Sequence, residues 1–366
     1  MNDIIVIGGG QAGLAAAHAL TVRGHRPLVL DAAAETGEVW RRRWDSLRLF
    51  TPARHSALPG MPFPGRPGRY PGKDEVADYL AGYARHFGLA VQHGSTVRRL
   101  HRDNGGFVAE TDSRAHRAEA VVVATGPFQR PRVPALAERL DPAVRQLHSG
   151  EYRAPGRIPG GSVLVVGAGN SGVQIAAELS ATHDVALATG RPRPVMPQRV
   201  LGRDVFGWLQ MLGVVRAPVT GRLGRRVRAR DPLIGRGPRD LLRSGVRVLG
   251  RLTGVDGRAV HTAAGEVVAP DTVVWATGYA PDYGWLDVAG AVDPVDGRPV
   301  QDFGVSPVPG LFHVGLSFQH SRGSALLGWV GRDAELVADR LAAGLRSARP
   351  SSATPGRSTR ARRRRP

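Results

Sequence analysis

The chain has 366 residues, 42% of them hydrophobic, enough for one large or two medium globular domains with real cores. Cysteine is absent, which excludes disulfides, thiolate metal sites and any redox-active dithiol. The net charge of +19 rests almost wholly on arginine, with Lys73 the sole lysine, but the arginines are scattered without the interleaved aromatics that stack bases, so no nucleic-acid partner is expected.

The chain enters a strand at once, at Ile4–Ile7, with no charged segment ahead of an apolar one; no signal peptide is expected. Gly8–Gly13 reads as a turn, and the Ala-rich stretch 14–23 as a helix closed by Gly24. A second strand, Pro27–Leu30, ends at Asp31. Residues 40–71 are rich in Pro, Arg and aromatics and have no clean period. An ordered loop of this length in a compact domain is usually functional. Lys73–Phe87 predicts an amphipathic helix: Val76, Tyr79, Leu80, Tyr83 and Phe87 share a face, and Gly88 ends it. Strands are predicted around Val91, over 107–110 and over 121–123, the last running into Ala124-Thr125-Gly126.

At Gly160 the opening pattern restarts. Ser162–Val166 is a strand, Gly167–Gly172 a Gly-rich turn, 173–180 a helix and 185–188 a second strand. The apolar piece Val205–Val215 is broken by Gly207, Gln210 and Gly213 and falls short of the ~20 residues of a membrane span. A cytoplasmic protein without integral membrane association is expected. Val273-Val274-Trp275 leads into Ala276-Thr277-Gly278, echoing 121–126. A final helix is predicted from about Ser324 to Ala343; its N-terminus at Gly323-Ser324 reads either as pointing at a bound flavin or as the start of a helix that only caps the fold. After Arg346 the chain reads as a disordered Arg-rich tail. The predicted fold is α/β, with two Rossmann-like dinucleotide-binding domains, the second inserted in the first. The first spans 1–155 plus 305–345, the second 156–304, and the tail 346–366.

Both Gly-rich turns fit G-x-G-x-x-G in its strand–turn–helix context. In the first, Gly8 permits the tight turn, Gly10 lets backbone approach a pyrophosphate, and Gly13 packs helix on strand. The helix N-terminus offers free N–H groups to phosphate. Asp31 stands where a carboxylate accepts ribose hydroxyls, and this site reads as FAD. The second turn is Gly167, Gly169 and Gly172. Its second strand ends in Ala188-Thr189-Gly190-Arg191, with no acid. A carboxylate would repel a 2′-phosphate, whereas Arg binds it, so NADPH is favoured over NADH. Two such sites in one chain imply hydride transfer from nicotinamide to flavin.

Longer stretches carry a resemblance. These are 40–52 (WRRRWDSLRLFTP), 70–76 (YPGKDEV), 124–128 (ATGPF), 275–279 (WATGY), 308–311 (VPGL) and 331–334 (GRDA). To about residue 345 the chain resembles bacterial flavin-containing monooxygenases, including members described as flavoproteins of potassium or metal transport. The resemblance implies that NADPH reduces FAD, that O2 adds as a flavin C4a-hydroperoxide, and that this oxygenates a nitrogen or sulfur centre of a small organic substrate. It implies FAD contacts from Gly8, Gly10, Gln11, Ala12, Gly13, Asp31, Trp40, Arg48, Val97, Thr125, Gly126, Gly315 and Ser324. It implies NADPH contacts from Gly167, Gly169, Asn170, Ser171, Gly172, Arg191, Thr277 and Gly278, with no metal. A monomer or homodimer is expected.

The family's identifying motif, F-x-G-x-x-x-H-x-x-x-(Y/F/W), reads here Pro142, Val144, His148, Tyr152. Tyr rather than Trp at its end speaks against the Baeyer–Villiger subgroup. Where family members often place an Asn near the flavin edge, this chain has Thr51. Thr51, His148 and Gln319 are therefore the candidate catalytic residues. For His148 a hinge role at the domain junction is the alternative, and for Gln319 and His320 a capping role. Two further readings stay open: an NADPH-dependent flavin reductase or oxidase without oxygen insertion, and a non-enzymatic redox nucleotide sensor.

Overall fold

The computed structural model describes residues 2–348; the remainder of the expected Arg-rich tail lies outside them. The opening unit is β1 (Asn2–Ile7), α1 (Gln11–Val22) and β2 (Leu28–Leu30). The helix starts within the Gly-rich turn itself, because Gly10, in extended conformation, is its N-cap. Then come α2 (Lys73–His86), β3 (Ala90–Gln92), β4 (Val97–Asp103), β5 (Gly106–Thr111) and β6 (Ala115–Val123). The predicted apolar face of α2 is buried at Val76, Tyr79, Leu80 and Tyr83. Each such side chain contributes about 1.5–3 kcal/mol by leaving water. The Tyr79 and Tyr83 hydroxyls donate to the carbonyls of Met61 and Pro59 and pin the long loop onto the helix.

The second unit is β7 (Arg145–His148), β8 (Ser162–Val166), α3 (Asn170–Leu179) and β9 (Asp184–Ala188). An excursion follows with helices α4 (Val205–Met211) and α5 (Arg222–Ala229). The chain then supplies β10 (Arg247–Leu249), β11 (Thr272–Trp275), β12 (Leu286–Asp287), β13 (Leu311–His313) and α6 (Val330–Ala348).

The repeat is visible in strand order. In the first sheet β13, β6, β1, β2 and β3 lie side by side and parallel. In the second, β7, β11, β8, β9 and β10 do the same. Each sheet thus has its fingerprint strand at the centre and its Ala-Thr-Gly strand beside it, the arrangement of a Rossmann-like fold. While one edge of β6 pairs parallel with β1, its other edge serves two partners in turn: 115–118 pair antiparallel with β5, and 121–123 parallel with β13. Among the described residues no helix is long and apolar enough to cross a membrane.

The last helix departs from the sequence expectation. Residues 321–329 are turns, and α6 begins at Val330 rather than near Ser324. A Cβ at Gly328 would overlap the His55 carbonyl, and one at Gly331 would overlap the Pro59 ring. The 53–59 loop therefore lies against the chain where the helix would have started. No helix N-terminus exists at Gly323-Ser324; the Ser324 hydroxyl accepts the N–H groups of His320 and Ser321 instead.

Candidate cofactor cradles and active site

The two Gly-rich turns have the same geometry. Gly8 and Gly167 lie at φ 106° and 109°, where L side chains are strained. A Cβ at Gly13 would overlap the Gly8 carbonyl oxygen, and one at Gly172 the Gly167 carbonyl oxygen. Gly8 abuts the Ala124 carbonyl, and Gly167 that of Ala276, so each Ala-Thr-Gly turn closes one side of its cradle. The middle glycines differ from these. Gly10 and Gly169 have φ of −74° and −76° and nothing within 4 Å of where a Cβ would stand. Neither helix start carries a side-chain cap. Open space beside uncapped N–H groups is what a pyrophosphate needs, so both cradles fit a dinucleotide.

Around the first cradle the chain gathers distant segments. A Cβ at Gly9 would lie 2.5 Å from Asp31 Oδ2. Burial pushes the Asp31 pKa up, opposed by the N–H groups of Ala33 and Gly9. Gln11 accepts from the Trp40 indole (3.2 Å) and donates to the Ala325 carbonyl (3.2 Å), tying Trp40, α1 and the turn after Ser324 together. Gly315, at φ 89°, packs so closely on Ala12 that a Cβ would overlap it. Val97 opens β4 two residues after Ser95, whose N–H donates to the Asp31 carbonyl (2.8 Å). Thr125 accepts from Gln129, and Gly126 has φ 72° with open space beside it. Arg48 donates to the Tyr70 carbonyl (3.3 Å) within the long loop.

In the second cradle Asn170 accepts from the Ile234 N–H (3.2 Å), and Ser171 follows in the first turn of α3. Thr277 donates to the Arg132 carbonyl. Gly278 is exposed, with φ 82°. Arg191 is exposed, and no ion pair engages it among the described residues.

The three candidate catalytic residues are all engaged internally. Buried Thr51 shares a hydroxyl hydrogen bond with Ser56 (2.9 Å). Gln319 donates to the His313 carbonyl (2.9 Å) and accepts from the Leu316 N–H (3.2 Å), holding the turn that carries Gly315. His148 Nδ1 accepts from the Gly150 N–H (3.1 Å), which places its proton on Nε2, facing the Gly278 carbonyl (3.0 Å). Burial lowers its pKa, with the Gly278 carbonyl pulling the other way. His148 also meets Tyr279 edge to face (4.9 Å), and the Tyr279 hydroxyl accepts from Arg43 (3.1 Å). It therefore ties β7 and the long loop to the Ala-Thr-Gly turn of the second sheet.

One buried cluster escaped the sequence reading because its members are far apart in the chain. Asp204 N-caps α4 through the Gly207 N–H (2.8 Å) and accepts two hydrogen bonds from Arg54, one of them 3.1 Å long. His55 stacks on Trp329 (5.7 Å), Phe206 on Phe50 (5.7 Å), and Arg322 lies over Phe206 (5.5 Å). Burial alone would raise the Asp204 pKa; the bonds from Arg54 and Gly207 outweigh it and leave the group below its usual value. Its contribution to stability is thus present above the carboxylate range and lost as pH falls through the native value. Asp204→Ala is expected to cost about 2 kcal/mol, about 1 from the cap and the rest from Arg54, discounted because Arg54 is nearly half exposed. A urea-unfolding double-mutant cycle with Arg54→Ala checks it: a coupling near zero would remove Arg54 from the account.

A cavity of about 640 Å³ lies between Val300, Phe303, Pro307, His320, Leu336 and Arg340. None of the cradle residues lines it.

Comparison with known proteins gives one pattern. Residues 5–197 match the pyridine nucleotide-disulphide oxidoreductase family. The chain is 40% identical to the uncharacterized CzcO-like oxidoreductase of Geobacillus kaustophilus, covering 92% of this chain and 97% of that protein. It is 30% identical to the indole-3-pyruvate monooxygenase YUCCA1 of Oryza sativa subsp. japonica, covering 78% and 79%. A solved flavin-containing monooxygenase from Stenotrophomonas maltophilia superposes with a TM-score of 0.79 at 29% identity, covering 94% of this chain and 99% of that one.

Proposed function

The chain belongs to the pyridine nucleotide-disulphide oxidoreductase family, as a FAD- and NADP(H)-dependent enzyme of the flavin-monooxygenase type, and on that premise we propose that it oxygenates the nitrogen or sulfur centre of a small organic substrate. Despite the family's name it has no cysteine, so no redox disulfide takes part.

When bound, FAD would supply the hydride-accepting and oxygen-activating chemistry. The protein's part is to bind, orient and exclude water. In this reading the first cradle, Gly8 to Gly13, holds the FAD pyrophosphate, and Asp31 accepts the ribose hydroxyls. Trp40, Arg48, Val97, Thr125, Gly126, Gly315 and Ser324 complete that site. The second cradle, Gly167 to Gly172 with Asn170 and Ser171, holds NADPH, with Thr277 and Gly278 beside it and Arg191 on the 2′-phosphate. Residues 1–155 with 305–345 form the FAD domain, and 156–304 the inserted NADPH domain. Return of β13 to the first sheet supports this division, while β7 and β12 each pair across it.

The choice of a soft nucleophile rests on the resemblance to flavin-containing monooxygenases, and the internal hydrogen bonds of Thr51, His148 and Gln319 agree with a substrate that needs no proton transfer from them. The lone pair of an amine or thioether meets that condition. Thr51, Gln319 and His148 then act as positioning residues. NADPH oxidation with a thioether, a tertiary amine and a cyclic ketone tests the reading. It predicts S-oxide or N-oxide products. Lactone as the sole product, or peroxide alone from every substrate, would overturn it, the latter in favour of a flavin oxidase.

Arg191→Ala should raise KM for NADPH about 10- to 100-fold, the loss of one charge-assisted bond, with kcat at saturation nearly unchanged. KM for NADH should stay within about twofold. Equal effects on both cofactors would show that Arg191 does not read the 2′-phosphate.

A further inference from the structure

Residues 199–230 leave the second unit as an excursion with a buried root and an uncovered outer side. At the root, Val205, Phe206, Leu209 and Val215 pack with Phe50 and Trp329. Backbone bonds from Val219 to His320 and from Gly323 to Val215 fix it in place. Outside, large apolar side chains face solvent: Leu201 is 87% exposed, Met211 60%, Leu212 66% and Leu223 46%.

The charge on this excursion is one-sided. Arg199, Arg203, Arg216, Arg222, Arg225, Arg226, Arg228 and Arg230 are all exposed. The single carboxylate between them, Asp204, is buried on Arg54. Among the described residues none of the eight arginines is ion-paired. On α5, Leu223 and Val227 stand one turn apart among Arg222, Arg225, Arg226 and Arg228.

Unpaired cations interleaved with exposed Leu and Met match the headgroup layer of an anionic bilayer, where phosphates meet the charge and the acyl boundary takes the apolar side chains. A nucleic acid would leave the leucines in water and would call on exposed aromatics. Here Phe206 is buried and Trp208 is partly buried, with its indole donating to the Val200 carbonyl. A second copy meeting this face would set arginines against arginines.

We propose that residues 199–230 dock the protein peripherally on an anionic membrane surface, with Leu201, Met211, Leu212 and Leu223 entering the headgroup layer. Co-sedimentation of the full FAD-loaded chain with vesicles tests this. It should bind phosphatidylcholine vesicles containing one-third phosphatidylglycerol, not phosphatidylcholine alone, and be released by salt as screening grows. Arg222→Gln/Arg225→Gln/Arg226→Gln should weaken binding on the order of 100-fold, about fivefold per arginine. Leu201→Ser/Leu212→Ser, which keeps every arginine, should weaken it about tenfold while NADPH still reduces the flavin. No binding to the anionic vesicles overturns the proposal. So does full binding by the leucine variant accompanied by equal affinity for duplex DNA, which would make the patch a general polyanion site. A concentration-dependent dimer abolished by the leucine substitutions would assign the face to a second copy and also overturn it.

Discussion

Gly10→Val should give a folded protein that no longer retains FAD. The position tolerates the substitution within the protein: φ is −74°, and no atom lies within 4 Å of the new Cβ. The side chain would instead fill the space where the pyrophosphate meets the N–H groups of α1. Losing two or more hydrogen bonds to a charged group costs about 3 kcal/mol or more, a 100-fold or greater loss of affinity. Thermal unfolding of the apoprotein should be almost unchanged. Gly13→Ala should behave differently, because its Cβ collides with the Gly8 carbonyl and the helix must shift on the strand. It should lower the stability of the apoprotein as well as its FAD content. Gly169→Val extends the test to the second cradle: FAD stays bound, and NADPH no longer reduces it. Retention of FAD by Gly10→Val would remove the first cradle from the account.

Acid should destabilise the protein well above the carboxylate range, and His313 should carry much of the effect. Its ring is fully buried on β13 with no hydrogen-bond partner on either nitrogen among the described residues, and burial pushes its pKa down from 6.5 to about 4. The sign follows from linkage. The unfolded chain takes the proton near pH 6.5 while the native ring refuses it, so stability falls as pH drops from 6.5 toward 4 and this contribution then levels off. At pH 5 the cost is about 2 kcal/mol, and over the whole window roughly 3. His18, His55, His116 and His148 are shifted in the same direction, chiefly by burial, and add to the slope. His313→Leu keeps the volume and removes the titration. Urea unfolding with excess FAD at pH 7 and pH 5 should show a difference smaller by about 2 kcal/mol in the variant. An unchanged difference would mean that the buried ring is protonated in the native state.

The cradles were legible in the sequence because their requirements are local. Three glycines at fixed spacing, a strand before and a helix after each answer to a backbone contact within a few residues. The paired Ala-Thr-Gly turns were legible for the same reason. Strand β4 was missed: Leu100 is its one fully buried side chain, and Arg and His occupy most other positions, so no alternation of apolar residues marks it. The start of α6 was misplaced because Ala325-Leu326-Leu327 has helical composition, while Gly328 and Gly331 are fixed by a loop some 270 residues away in sequence. The Arg54–Asp204 cluster, the Gly315–Ala12 approach and the His148–Tyr279–Arg43 contacts are long-range pairings with no sequence period of their own. His148 shows the limit most clearly. Its motif marked it as special, but only the structure shows both ring nitrogens held by backbone groups.

Oxidation of NADPH is held to be coupled to transfer of one oxygen atom of O2 to the substrate, the other atom leaving as water. Turnover of a thioether under ¹⁸O2 with NADPH, read by mass spectrometry alongside peroxide release, tests it most directly. One labelled oxygen in the S-oxide is expected for each NADPH consumed, with little peroxide. An unlabelled product, or peroxide equal to the NADPH oxidised, would contradict it.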